Sequence, residues 1–209
     1  MSTRTSKALL LLAALAVAGC DGALPAFDGL NVTRRAPERI ALPGGVVVAG
    51  AKGWCVDGDT TRASGDAAVV VFGSCAAIAG NAFAPRPNVP GVVTVSIERA
   101  VGAIPPASDL EAFFATDAGR AALARDGRAE SVRILETRRE DGLLFVHAED
   151  RSAGSVPGVA TDLWRALFVM DGRFVSVSLV GLTAKPIARR DGLATLEAQV
   201  DELKTANPG

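Results

Sequence analysis

Residues 163–180 read Leu163-Trp-Arg-Ala-Leu-Phe-Val-Met170, Asp171-Gly172, Arg173, then Phe174-Val-Ser-Val-Ser-Leu-Val180. In the last segment Val175, Val177 and Leu179 alternate with Ser176 and Ser178, and successive side chains of a strand point to opposite faces. This is the text of a half-buried strand in an antiparallel sheet. Asp-Gly supplies the two positive-φ residues that a two-residue hairpin turn demands. The two apolar segments are therefore expected to pair directly. A second hairpin is signalled upstream, where Val132-Arg-Ile-Leu-Glu-Thr-Arg138 and Leu143-Leu-Phe-Val-His-Ala-Glu149 flank Asp141-Gly142.

Strand signals begin earlier, near Ile40, and recur at Val46–Val48 and Trp54–Val56. A polar turn, Asp57–Asp66, leads into Ala67-Ala-Val-Val-Val-Phe72, a continuous apolar run that predicts a strand covered on both faces. After a loop rich in Gly, Asn and Pro (Gly80–Pro90), Gly91–Glu98 reads as another strand. The middle then turns helical. Pro105-Pro106 closes the strand, Ser108 with Glu111 matches a capping box, and Leu110, Phe113 and Phe114 mark a buried face. A second short helix is expected from Thr116 or Asp117 to Arg125, stopped by Asp126-Gly127.

From about Gly192 to Thr205 the chain is amphipathic, with Leu193, Leu196, Val200 and Leu203 on one stripe. Leaving that stripe in water is costly, so the helix should pack on the sheet. The expected fold class is α+β: an antiparallel sheet with hairpins, mid-chain helices and a C-terminal amphipathic helix packed on the sheet. The order resembles the Mog1/PsbP-type sandwich, through the early Gly53-Trp54-x-Val56 strand, the mid-chain helix, the Gly172-Arg-Phe-Val-Ser-Val-Ser178 strand and the terminal helix. That resemblance implies a binding or assembly factor. It carries over no functional residue.

The first twenty residues have a different character. Two cations, Arg4 and Lys7, precede the apolar run Ala8–Ala18, and Gly19-Cys20 follows. A charged start, an apolar stretch and a small-residue end make a secretory signal. At about 1.5 Å per residue the run covers little more than half of a ~30 Å hydrocarbon core, a poor membrane span. Val17-Ala18-Gly19-Cys20 resembles the lipobox of bacterial lipoproteins. The resemblance implies cleavage before Cys20, diacylglycerol on its sulfur, and often an acylated amine. One acyl chain binds a bilayer reversibly, whereas two or three make a lasting anchor. Asp21 resembles the inner-membrane retention signal of enteric lipoproteins.

The expected organisation is a signal peptide over 1–19, a lipidated tether over 20–38 and a single α+β domain over 39–209. The tether is punctuated by Pro and Gly without a sustained period, and Asn31-Val32-Thr33 within it is a chance sequon. Losing Arg4 and Lys7 with the leader takes the formal net charge from −1 to −3. That balance offers no polybasic surface for nucleic acid or anionic lipid. With Cys20 lipidated, Cys55 and Cys75 remain, and a remaining pair in an oxidising compartment is expected to form a disulfide. Their spacing is far from Cys-x-x-Cys, and too few histidines exist to complete a metal site.

The chemistry searched for elsewhere is thin. His147 is the only histidine. By alternation it shares a strand face with Leu143, Phe145, Glu149 and Arg151, and it is expected to pair with Glu149. Ser152 and Ser155 lie nearby, but no Gly-x-Ser-x-Gly surrounds them. Asp57-Gly-Asp59-Thr-Thr61 invites a calcium-loop reading, yet the sixth and twelfth positions hold Arg62 and Ala68 where glycine and glutamate are required. Asx-turn chemistry explains these acids better.

Glu149 and Asp150, adjacent in a strand, point to opposite faces and cannot share acid/base work. Arg138-Arg139 and Arg189-Arg190 read as solvated pairs. Trp54, Trp164, Phe113, Phe114 and Phe168 read as core. Gly44-Gly45 leads into valines rather than a helix, so no phosphate loop forms. No cofactor, metal or catalytic residue is expected. The leading expectation is a non-enzymatic envelope lipoprotein, anchored through lipid on Cys20, that binds or helps assemble an envelope protein partner. The alternatives are a small-ligand-binding module with a pocket between sheet and helices, and an envelope hydrolase using His147.

Overall fold

The computed structural model describes residues 35–64, 67–100, 102–152 and 157–208. The expected signal peptide, Cys20, Asp21, the Asn31 sequon and Ser155 lie outside the described residues. Both predicted hairpins form. Strand β9 (Val159–Met170) turns through Asp171 and Gly172, with φ of 51° and 68°, into β10 (Arg173–Leu182). Strand β7 (Val132–Glu140) turns through Asp141 and Gly142, with φ of 46° and 79°, into β8 (Leu143–Asp150). Each dipeptide adopts the left-handed pair that matches strand twist, as its composition requires.

These strands extend a wider sheet. Strands β3 (Trp54–Val56), β5 (Ala67–Ser74) and β6 (Gly91–Arg99) complete the order β3-β5-β6-β10-β9-β8-β7, and β4 (Arg62–Ser64) pairs the other end of β5. Every pairing in it is antiparallel. A separate two-stranded sheet joins β1 (Arg39–Ala41) to β2 (Val47–Ala49). Four α-helices are described: α1 (Cys75–Ile78), α2 (Ala107–Phe114), α3 (Asp117–Leu123) and α4 (Arg189–Ala206). The fold is α+β, and none of the described helices is long and apolar enough to cross a membrane.

One face of the large sheet is fully dressed. Val70, Phe72, Val93, Val95, Val175, Val177, Leu179 and Trp164 bury against Leu196, Val200 and Leu203 of α4 and against Val48 of β2. This is the stripe expected of the terminal helix, which begins three residues earlier than predicted, at Arg189. The opposite face is dressed at one end only. There Phe114 and Leu123, from α2 and α3, cover Leu144, Val146, Ala148 and Leu167 of β8 and β9. Towards β5, Val69, Val92 and Val169 stay exposed on that face.

That asymmetry corrects the reading of Ala67–Phe72. Ala68, Val70 and Phe72 are buried while Ala67 and Val69 are exposed, so β5 is covered on one face, not two. Helices α2 and α3, which dress that second face, sit at the far end of the sheet. The expected tether also ends early. Ala36 is buried, the Pro37 carbonyl accepts from Val56 N at 2.7 Å, and the Glu38 carbonyl accepts from Gly50 N at 2.8 Å.

The predicted capping box of α2 does not form. Pro106 is the N-cap, which places Ser108 inside the helix, where its hydroxyl lies 3.2 Å from the Asp109 carboxylate. Glu111 instead meets Thr137 and Arg139 of β7. Of the two phenylalanines expected in the core, Phe114 is buried and Phe113 is 42% exposed, because adjacent residues of a helix cannot both face the sheet. The second helix does carry a cap: Thr116 Oγ1 accepts from Gly119 N at 3.1 Å.

Candidate functional site

The half-covered sheet face creates a step. Where α3 ends and the open strands begin lies a cleft of about 310 Å³, lined among others by Thr94, Ser96, Arg165, Ser176 and Ser178. Strand register explains this set. Arg165 on β9 stands opposite Ser178 on β10 and Val146 on β8, and Ser178 stands opposite Thr94 on β6. Ser176 is matched with Ser96 in the neighbouring row. One cation and four hydroxyls thus share a single face, because residues two apart on each strand point the same way.

Arg165 is half-buried, and its Nε donates to Ser178 Oγ at 3.0 Å. Among the described residues no carboxylate pairs with its guanidinium. Burial alone, with no compensating charge, pushes its pKa below the ordinary arginine range. Structures usually pair a charge that leaves water.

The rim contains two acids, and both are occupied. Asp150, 2% exposed, accepts from Arg125 N at 3.1 Å and from both the backbone and the hydroxyl of Ser152. It therefore fixes the loop after α3 and places Arg125 on the rim. The Oδ1 of Asp162 lies 2.9 Å from His147 Nε2. Leu123, Leu163 and Val180 add apolar wall.

His147 is not where its sequence neighbours implied. Its partner is Asp162, across the β8–β9 pairing, while Glu149 is held by Arg133 of β7 at 2.9 Å. The expected His147–Glu149 pair is thus replaced by two cross-strand pairs: Arg133 directly opposes Glu149, and Asp162 reaches His147 diagonally, from the position next to Trp164, the direct opposite of His147, on that face. A carboxylate only accepts, so Nε2 carries the proton of this bond, and Nδ1 is buried without a partner among the described residues. The imidazole stacks on Trp164 with centroids 4.7 Å apart. The hollow beside it measures about 20 Å³, room for a single water. Ser152 bonds Asp150, whose side chain lies on the strand face opposite to that of His147. The structure does not bring His147, Glu149 and Ser152 together.

The sulfurs of Cys55 and Cys75 stand at 2.04 Å, the paired arrangement expected, beside buried Ala36. Asp57 Oδ1 accepts from Asp59 N at 3.0 Å, the Asx turn foreseen for that segment. Among the described residues no group of three metal-binding side chains gathers. Of the arginine pairs expected in solvent, Arg190 stands in solvent as read, while the other three, though partly exposed, also tie elements together. Arg138 meets Glu140 and Glu197 and lies over Phe145, Arg139 meets Glu111, and Arg189 meets Glu136. Trp54, Trp164, Phe114 and Phe168 are core, as read.

Sequence reasoning missed Arg165, although a signal existed. Across the Asp171-Gly172 turn, Arg165 is the one cation facing the serine side of the hairpin. Another groove, of about 400 Å³, contains Lys52 and Asp191. It presents no half-buried charge without a counterion.

Fold and cleft together define an α+β domain whose antiparallel sheet is half open on one face. No family model matches the chain, and neither curated proteins nor solved structures offer a match.

Proposed function

We propose that this chain is an envelope lipoprotein, held to a bilayer through acyl chains on Cys20, whose α+β domain is a non-enzymatic binding module. The observation that carries the binding role is the cleft over Arg165, a built concavity on the uncovered half of the sheet. It favours a small-ligand module over the protein-assembly role, because its polar side chains converge in one recess beside a smaller apolar wall. The lipobox-like Val17–Cys20 supports the anchor. The disulfide-distance pair Cys55 and Cys75 is in keeping with an oxidising compartment. The resemblance to Mog1/PsbP-type proteins also leans towards binding.

Two measurements test the reading. Cys20→Ser should release the protein from membranes and abolish palmitate incorporation; unchanged retention rejects the anchor. Native mass spectrometry of the protein exposed to envelope metabolites should show a small-molecule adduct that Ser176→Trp, which fills the cleft, removes. An adduct that survives Ser176→Trp, or no adduct at all, rejects the binding role.

A further inference from the structure

We infer that the group received in the cleft is an oxyanion, a carboxylate or phosphate carried by a small organic molecule, and that Arg165 is the residue that holds it. This inference rests on the binding-module reading and names its ligand class.

A guanidinium presents five N–H donors in a planar fork matched to two oxygens. Ser178 engages only Nε. No other described group accepts from Arg165, so the four donors on its terminal nitrogens remain for a ligand. Ser178 Oγ accepts from Arg165 and keeps its own proton to give. Ser176, Ser96 and Thr94 extend this donor set across two strands. The sheet therefore offers a rigid arrangement of donors around one charge, the form in which a bidentate anion is best held.

The two acids on the rim keep their own charge, but neither forms an ion pair with Arg165. Asp150 is committed to Arg125 N and Ser152, and Asp162 to His147. Arg125, whose side chain is exposed and forms no ion pair with any described residue, adds a second positive group at the mouth. A structural arginine would be expected to meet a carboxylate, as Arg133, Arg138 and Arg139 of β7 and Arg189 of α4 do here. Arg165 and Arg173 are half-buried without one; Arg173 donates to the backbone carbonyls of Asp171 and Gly44, whereas Arg165 lines the cleft. Leu123, Leu163 and Val180 give the ligand's body an apolar surface.

The test titrates the mature protein with benzoate, phenyl phosphate and the neutral isostere benzamide, following the Arg165 Nε–H resonance. Benzoate or phenyl phosphate should saturate and shift that resonance, and the tighter of the two identifies the oxyanion. Benzamide should bind at least tenfold more weakly. Arg165→Gln should cost the anion at least tenfold in affinity and Arg165→Lys less. Ser178→Ala, which leaves the charge in place, should weaken binding several-fold and covers the case in which the glutamine variant fails to fold.

Benzamide binding as tightly as benzoate, with Ser176→Trp blocking both, would overturn the anion assignment and leave the binding module intact. Anion binding unaffected by Arg165→Gln would overturn the role of Arg165. No binding of any of the three, where an envelope metabolite still occupies the cleft, would reject the oxyanion alone. Failure of both experiments would reject the module as well.

Discussion

The indole of Trp164 lies so close to the backbone of Gly192 that a Cβ at 192 would stand 2.4 Å from Cε2. Helix α4 can approach the sheet this closely only because residue 192 has no side chain. Alanine is ordinarily the better helix former by ~1 kcal/mol. Here the clash dominates, and Gly192→Ala should destabilise the domain by about 1–3 kcal/mol. Urea unfolding checks it; a midpoint that rises would mean the helix shifts without penalty.

Gln199 is fully buried, with Oε1 accepting from Ala51 N at 3.0 Å and Nε2 donating to Ala49 O at 2.6 Å. It acts as a surrogate strand partner for a backbone with no neighbour there. Gln199→Leu keeps the volume but strands one donor and one acceptor, at a cost of about 2–4 kcal/mol. Hydrogen exchange at the Ala51 amide should accelerate in the variant far more than at Val175.

Glu136 has its pKa lowered from 4.5, chiefly by the hydrogen bond from Arg189, against the opposing effect of burial. A depressed carboxylate contributes stability above its unfolded pKa, and that contribution disappears as pH falls through the folded value. Wild-type stability should therefore lose an increment below pH 4.5. Glu136→Gln should lack that increment, and Arg189→Gln should flatten the same limb. Acid titrations of the thermal midpoint that superimpose for all three proteins would remove the pair from the stability account.

Twenty residues separate Cys55 from Cys75. Closing a loop of that length is worth ~3 kcal/mol in the chain-entropy account. Reductant, or Cys55→Ala with Cys75→Ala, should lower unfolding stability by about that amount. Intact mass after alkylation without reductant should show neither thiol modified.

Local chemistry was legible and long-range coverage was not. Asp141-Gly142 and Asp171-Gly172 determine their own turns, so both hairpins and the alternation of Val175, Val177 and Leu179 could be read directly. Ala67–Phe72 looked doubly buried because its valines do not record which end of the sheet α2 and α3 occupy. Ser108 carried a capping signal, but Pro106 is the N-cap, two residues earlier. For the cleft, Arg165, Ser176 and Ser178 were visible in the hairpin text. What distinguishes Arg165 is the absence of a described acid beside it, a property of the folded chain alone. Gln199 sat within the apolar stripe as an exception, and its backbone partners lie 148 and 150 residues away.

Those distances have a kinetic meaning. Asn207 bonds the backbone of Val47 through both N and O, across 160 residues, so β2 receives partners from the C-cap of α4. Contacts this remote repay their loop-closure entropy only late and slow the search for the native state. A nascent or threaded polypeptide in which α4 has not yet emerged would leave β1 and β2 waiting for Gln199 and Asn207, and the commitment to a finished structure comes only with that helix.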